Sequence, residues 1–319
     1  KEISKIHSEL HHFEIELLPP HLLKSELDFS IEESNIRFGL LSIKGISDKS
    51  IEKLSKFKTA YSNKFEIFQA AEDTKLGLGV LCAIIQAGAL EGYEHTRCRV
   101  VLEAQLWSIL TPKEKKYCFQ FGNEYLYNLI KLIKDLKNEK KDEKGKEIIK
   151  ESRWKTIKKH YDKYRLIYEK NRKRADFVNW WYEKNLLGYT YETTLKNILG
   201  KEKKDLLYIS DIQNIPTDSF VKMVGTVSKA MQPSKSKNGN KYLKLNISDE
   251  TGNIDCLIFD TKNKQNIEKC QRENGILPKE DNIVFITGTK KENAIFANLI
   301  TIEDIKVYTR LKEIEKDFP

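Results

Sequence analysis

From Val221 onward the apolar residues of this chain change period, and that change constrains the fold more than any other feature. Upstream they recur at spacings of three and four, as on the buried stripe of a helix. From Val221-Lys-Met-Val-Gly-Thr-Val227 they alternate, as in half-buried strands. The alternation predicts strands at 221–227, 242–248, 253–259, 283–289 and 294–302, with turn signals at Asn238-Gly239-Asn240 and Thr251-Gly252-Asn253. A helical pattern over 263–274 separates the third strand from the fourth. Five short strands with that one interruption predict a small barrel of the oligonucleotide-binding (OB) type.

The loop between the first two strands, Pro233 to Lys241, is basic and rich in turn residues. Lys235, Lys237 and Lys241, with Lys244 on the next strand, are candidates to clasp a single strand of nucleic acid while sheet aromatics stack on its bases. Tyr242 and Phe259 are those aromatics, although alternation leaves each free to face the barrel core instead. Small barrels also mediate protein contacts, so the fold does not by itself choose the ligand.

The first 100 residues hold two helix-turn-helix candidates. In the first, apolar Leu40, Leu41 and Ile43 lead into Lys44-Gly45-Ile46-Ser47, and Ile51 and Leu54 continue a helical pattern. Gly45 can take a positive φ, and the helix after it would begin with backbone N–H groups aimed beyond the turn. With Arg37, Lys44 and Lys49 around it, the turn reads as a grip on phosphate; the plainer reading is a structural αα-turn. In the second, Leu81 to Leu90 ends on Ala87-Gly88-Ala89, with Arg97 and Arg99 the nearest cations beyond Gly88. Phe57, Tyr61, Phe65 and Phe68 lie between the two at core-type spacing.

Residues 96–200 read as helices throughout. One apolar stripe is Leu126, Leu129, Ile133 and Leu136; a second is Trp154, Ile157, Tyr161, Tyr164 and Tyr168. A charged turn over 138–145 separates them, which predicts an antiparallel helical arm. Its positive face, from Lys155 to Arg174, either follows a DNA backbone or is a solvated surface.

A net charge of +9 favours an anionic partner, nucleic acid before an acidic membrane surface. There is no apolar run of spanning length and no secretory signal, so a soluble, intracellular protein without membrane partners is expected. The five cysteines are scattered without CxxC pairing, as reduced structural thiols would be. His7 and His11 stand one turn apart with His12 and His21 near, but nothing completes a metal site and none is expected.

Several segments occur in a telling order: Ile15-Glu16-Leu17-Leu18-Pro19-Pro20, Ser25-Glu26-Leu27-Asp28-Phe29, Ile36-Arg37-Phe38-Gly39 and Ile43-Lys44-Gly45-Ile46. Leu81-Cys82-Ala83-Ile84-Ile85-Gln86-Ala87-Gly88-Ala89-Leu90 and Glu183-Lys184-Asn185-Leu186-Leu187-Gly188-Tyr189 follow. Together they resemble the alpha subunit of bacterial DNA polymerase III, a family C replicative polymerase, downstream of its palm. The resemblance covers most of the chain, is most specific between residues 15 and 95, and is faint from about 110 to 178. It implies the end of the fingers and a tandem helix-hairpin-helix region over 1–100, a lysine-rich helical linker over 101–205, an OB-fold over 206–310 and a tail over 311–319. The whole is then an α+β multidomain chain. It implies a DNA-binding and processivity region in DNA replication, with hairpins on the primer–template duplex and the barrel on single-stranded template, in the cytoplasm of a bacterial or virus-infected bacterial cell. Leu41 and Ser47 stand where glycine is usual, and Tyr189-Thr190-Tyr191-Glu192 replaces the usual Tyr-Leu-x-Gly-His-Pro ending, which points to a divergent lineage with a viral source in view.

Nucleotidyl transfer needs paired carboxylates that hold magnesium ions. No such pair stands out, since Asp142-Glu143 and Asp249-Glu250 fall in turns. The family's metal-binding aspartates precede the position of Lys1, so no catalytic residue and no cofactor is expected here, and magnesium only at the palm. The expectation is a fragment or split-gene product that meets its catalytic half in cis or in trans. The resemblance also implies a sliding-clamp-binding peptide, for which Gln105-Leu106-Trp107-Ser108-Ile109-Leu110 and Gln120-Phe121-Gly122 are the only approximations. The alternatives are a stand-alone single-strand nucleic-acid-binding or adaptor protein and, third, an aminoacyl-tRNA synthetase appendage with a similar barrel.

Overall fold

A small sheet, not a helix, leads into the first turn candidate. Strand β1 (Leu17–Leu18) runs parallel to β3 (Asn35–Arg37), and β2 (Ser30–Glu32) pairs antiparallel with β3. The structure, a computed structural model, describes residues 3, 6, 9–10, 13–90, 96–236, 239–261 and 264–316. His7, His11, His12, Lys237 and Asn238 lie outside those residues. The chain divides into two compact units, Lys1–Tyr189 with Val307–Pro319, and Thr190–Lys306.

After β3 the apolar Leu40–Ser42 makes a single 3-10 turn where the sequence predicts a helix. Helix α1 (Ile51–Phe57) then starts from a second 3-10 turn, Asp48–Ser50. Helices α2 (Lys64–Asp73), α3 (Leu78–Gln86), α4 (Arg97–Trp107), α5 (Pro112–Phe121) and α6 (Leu129–Asn138) follow. Their starts are written in the sequence: Asn63 accepts from Phe65 N and Glu66 N, Thr111 and Glu114 form a reciprocal capping box around Pro112, and Asn128 accepts from Lys131 N. The aromatics between the two turns fill the core. Phe57, Phe65 and Phe68 are buried, and Phe65 and Phe68 pack on Trp107 at ring distances of 5.3 and 5.9 Å. Each such ring contributes about 1.5–3 kcal/mol by leaving water.

Helices α7 (Glu151–Arg172) and α8 (Ala175–Leu187) complete the helical part of this unit. The two predicted stripes meet, with Ile133 of α6 and Trp154, Ile157 and Tyr161 of α7 lining one apolar crevice, and residues up to Tyr189 group with the hairpin region. His160 Nε2 on α7 lies 3.0 Å from Gln105 O on α4, and Arg153 binds Glu114 at 2.9 Å. The aromatic stripe of α7 is therefore a packing face, set against α4 as well as α6.

In the second unit, α9 (Leu195–Leu199) and α10 (Ile209–Asn214) precede the strands. The strands are β4 (Phe220–Ala230), β5 (Ser234–Lys235), β6 (Lys241–Ser248), β7 (Asn253–Phe259), β8 (Ile283–Lys291) and β9 (Ala294–Ile302). Their order, β4-β8-β9-β7-β6 with β6 returning to β4, closes a five-stranded barrel in which only β7 and β9 pair in parallel. That is the connectivity expected of an OB-fold, and the chain is α+β. Helix α11 (Asn266–Asn274) separates β7 from β8, and inward residues such as Met223, Leu245, Ile247, Cys256 and Ile286 fill the barrel. The Asp249-Glu250 corner is structural: Asp249 accepts from Ile209 N at 2.8 Å and Glu250 from Leu195 N at 2.9 Å.

The expected tail is partly helical. Helix α12 (Leu311–Lys316) packs on α7, beside a buried Asn171 that donates to Tyr308 O and accepts from Tyr308 N at 2.8 and 2.9 Å. All five cysteines are free and buried, and burial pushes the Cys82 thiol up to about 11. Among the described residues no helix is long and apolar enough to cross a membrane, and no cluster of three or more His, Cys, Asp or Glu is placed to hold a metal ion.

Candidate nucleic-acid interface

The first turn is anchored from below and open above. Gly45 has φ +98°, and Ile46 N donates to Ile43 O at 3.1 Å to close it. Ile46 is buried and pins the turn, whereas Lys44, Gly45, Ser47 and Lys49 are exposed. The Lys44 N–H is already used, donating to Leu186 O at 2.9 Å, so Lys44 offers a partner its ammonium and not its backbone. Ser47 is the N-cap of the 3-10 turn and makes no side-chain cap bond there. Arg37 departs from expectation. It is 6% exposed, bidentate on Glu32 at 2.6 Å and bonded to Pro19 O at 2.8 Å, so it clamps the small sheet instead of facing solvent. The hydrogen bond from Arg37 holds the Glu32 carboxyl below its ordinary range.

The second turn is a helix terminator. Gly88 has φ +76°, Gly88 N donates to Ile85 O and Ala89 N to Ile84 O, which is a Schellman ending of α3. Both nearby guanidinium groups turn to protein: Arg97 to Glu183 at 2.9 Å and Gln86 O at 3.2 Å, Arg99 to Glu103 at 3.6 Å. The segment Glu183 to Tyr189 buttresses both turns. Glu183 is fully buried on Arg97, Leu186 O receives Lys44 N, and Tyr189 stacks on Phe38 at 5.7 Å. Neither clamp-peptide approximation lies open as a peptide: Leu106 and Trp107 are each 1% exposed within α4, and Gln120-Phe121 ends α5.

On the barrel, the open question of the aromatics is answered by register. Along β6 and β7 the buried residues are Leu243, Leu245, Ile247 and Ile254, Cys256, Ile258, so Tyr242 and Phe259 point outward. They are cross-strand partners, 5.8 Å apart between ring centres. Phe296 on β9, 38% exposed, lies 4.9 Å from Phe259 and extends the pair into a row of three rings across β6, β7 and β9. Sequence reasoning missed Phe296, although Ile295 inward and Phe296 outward is the ordinary alternation of its strand. Lys235 and Lys241 are exposed beside this face. Lys244 is engaged with Asp255 at 2.7 Å; partial burial would raise that carboxyl, but hydrogen bonds from Lys244 and Asn246 hold it below its ordinary value. Past the rings, a crevice of about 550 Å³ between α11 and β9 is lined by Lys264, Lys269, Arg272 and Asn298.

The helix-hairpin-helix motif family matches residues 14–100. Two curated proteins match most of the chain. The DNA polymerase III subunit alpha of Aquifex aeolicus (strain VF5) is 24% identical over 296 residues, 88% of this chain and 20% of its own length. Its counterpart from Halalkalibacterium halodurans is 23% identical over 262 residues, 81% of this chain and 20% of its own. The chain thus spans about a fifth of the length of these relatives. Among solved structures, the asparaginyl-tRNA synthetase of Pyrococcus horikoshii covers 33% of this chain and 24% of itself at 16% identity with a TM-score of 0.24. A likeness at that level carries no argument.

Proposed function

We propose, from the premise that this chain is a divergent relative of the C-terminal part of the DNA polymerase III alpha subunit, that it is a DNA-binding region of a replicative polymerase. The first turn rests on the backbone of the primer–template duplex through Lys44, Lys49 and the exposed backbone at Gly45 and Ser47. The barrel holds single-stranded template on Tyr242, Phe259 and Phe296, flanked by Lys235 and Lys241. The observation that carries this reading is the outward row of three rings. Rings left on an outer sheet face add little to folding, whereas bases stacked on them would cover that apolar surface. Catalytic carboxylates and their magnesium come from another part of the polymerase, in cis or in trans, within the bacterial cytoplasm. A sliding clamp is a further partner, with no residue of this chain assigned to it.

Binding of oligo(dT) and of a blunt duplex to the full chain tests the reading. Phe296→Ala and Tyr242→Ala should each weaken single-strand binding about 5- to 150-fold, since a stacked base contributes roughly 1–3 kcal/mol, with the unfolding midpoint unchanged. Full affinity in both variants would remove the rings from the site. On the duplex, Lys44→Glu should lower affinity without changing stability, and Arg37→Ala should do the reverse by leaving Glu32 without its partner. Equal binding losses in these two variants would mean that the turn acts only through its fold. A wild-type chain that binds neither ligand would instead favour the adaptor reading.

A further inference from the structure

Helix α7 carries eight cations against three carboxylates. All three carboxylates are engaged: Glu151 pairs with Lys137 at 3.2 Å, and Asp162 and Glu169 both approach Arg165, at 3.9 and 3.7 Å. Arg153 turns inward to Glu114 and Ile109 O. Lys170 lies over the Tyr308 ring and Arg172 ends the helix, which leaves Lys155, Lys158, Lys159 and Lys163 along its middle, all exposed and without an ion pair among the described residues. Lys155, Lys159 and Lys163 form one column at i, i+4 and i+8, where like charges repel. A helix selected only for solubility would alternate signs along such a column.

The column is also held in place. Ile157 on the opposite face is buried, and His160 contacts α4, so the helix cannot roll to bury its lysines or present its rings. The rings Trp154, Tyr161 and Tyr164 are half-buried, Tyr164 beneath the Lys163 ammonium at 5.3 Å, and Ser152, Thr156 and Leu166 are exposed beside the lysines. A column of charge without an exposed row of rings suits a phosphate backbone better than unstacked bases, which bind through stacking as well as charge. Successive lysines of the column are about 6 Å apart along the axis. One DNA strand presents a charge every ~3.4 Å of rise, so each ammonium can reach a phosphate of its own.

We propose that Lys155, Lys158, Lys159 and Lys163 form a contact to the backbone of double-stranded DNA, separate from the Lys44 turn and indifferent to sequence. The proposal rests on the nucleic-acid reading above but adds a surface which that reading does not use. The test is the salt dependence of binding of the full chain to a 20-base-pair blunt duplex and to oligo(dT), for wild type and a Lys155→Gln/Lys158→Gln/Lys159→Gln/Lys163→Gln variant. Glutamine keeps helix propensity at these exposed positions, and a matching four-arginine variant retains the charge. For the duplex, the slope of log affinity against log salt should fall by about 3 to 4 in the glutamine variant, since each phosphate contact contributes ~0.9. The arginine variant should keep the wild-type slope, and oligo(dT) binding should be unchanged in both. A wild-type slope in the glutamine variant, or an equal loss for oligo(dT), would overturn the duplex contact while leaving the polymerase reading intact. Absence of binding by the wild-type chain to either ligand would overturn both.

Discussion

Glu103→Ala should lower the stability of the helical unit by about 3–5 kcal/mol, the usual consequence of removing one partner from a buried ion pair. Glu103 is fully buried and binds Lys64, itself 3% exposed, while its other oxygen accepts from Leu129 N at 3.2 Å and lies 3.6 Å from Arg99. One carboxylate thus joins the first residue of α2, the middle of α4 and the N-terminus of α6, where the helix dipole also favours a negative charge. Burial pushes the Glu103 carboxyl up and the Lys64 ammonium down, so each needs the other to stay charged. Alanine leaves an ammonium without a counter-charge and a helix-start N–H without an acceptor. All four tryptophans lie in this unit, so tryptophan fluorescence reports its unfolding, and the midpoint should drop by about 10 °C. The Lys64→Met/Glu103→Leu pair should recover much of the loss, because an apolar replacement removes both desolvation costs. A shift of less than about 1 °C for Glu103→Ala would mean that water reaches the pair.

The barrel was legible because a strand with one buried face writes its register into the chain. The expected strands at 253–259 and 294–302 coincide with β7 and β9. The parallel pairing of β7 with β9 was not legible, and that pairing brings Phe296 to Phe259. The first turn failed differently. Leu40, Leu41 and Ile43 form an apolar run too short for periodicity to separate helix from any other buried segment, and the chain uses it as a 3-10 turn. Arg37 looked like a binding cation because its partner, Glu32, is reached only when the β2–β3 hairpin closes. The Glu183 to Tyr189 segment was recognisable as a motif, but its work of supporting Lys44 depends on contacts more than a hundred residues apart. The helix at Leu311–Lys316 had a local signal that was passed over, since Glu313 accepts from Thr309 N and Arg310 N at its start.

Gly288→Val should be the most damaging single change for the barrel and its proposed ligand together. A Cβ at Gly288 would stand 2.4 Å from Phe296 O and 2.9 Å from Ala297 Cα, closer than any side chain tolerates, and the obstacle is backbone. The β8–β9 register shifts between Thr287 and Gly288, so the close approach belongs to a bulge that sets where β9 lies. The larger side chain must push β9 outward at the residue that carries the third ring. Overpacking of this kind costs about 1–3 kcal/mol or more. The cost falls on a barrel whose closure depends on β9 bridging β8 and β7. Far-UV circular dichroism should show a lowered barrel transition while tryptophan fluorescence, confined to the helical unit, keeps its midpoint. Single-strand binding should fall further than in Phe296→Ala, because displacing the strand disturbs the spacing of all three rings and not one ring alone. If Gly288→Val bound oligo(dT) as tightly as Phe296→Ala or better, the row of rings would not depend on the bulge.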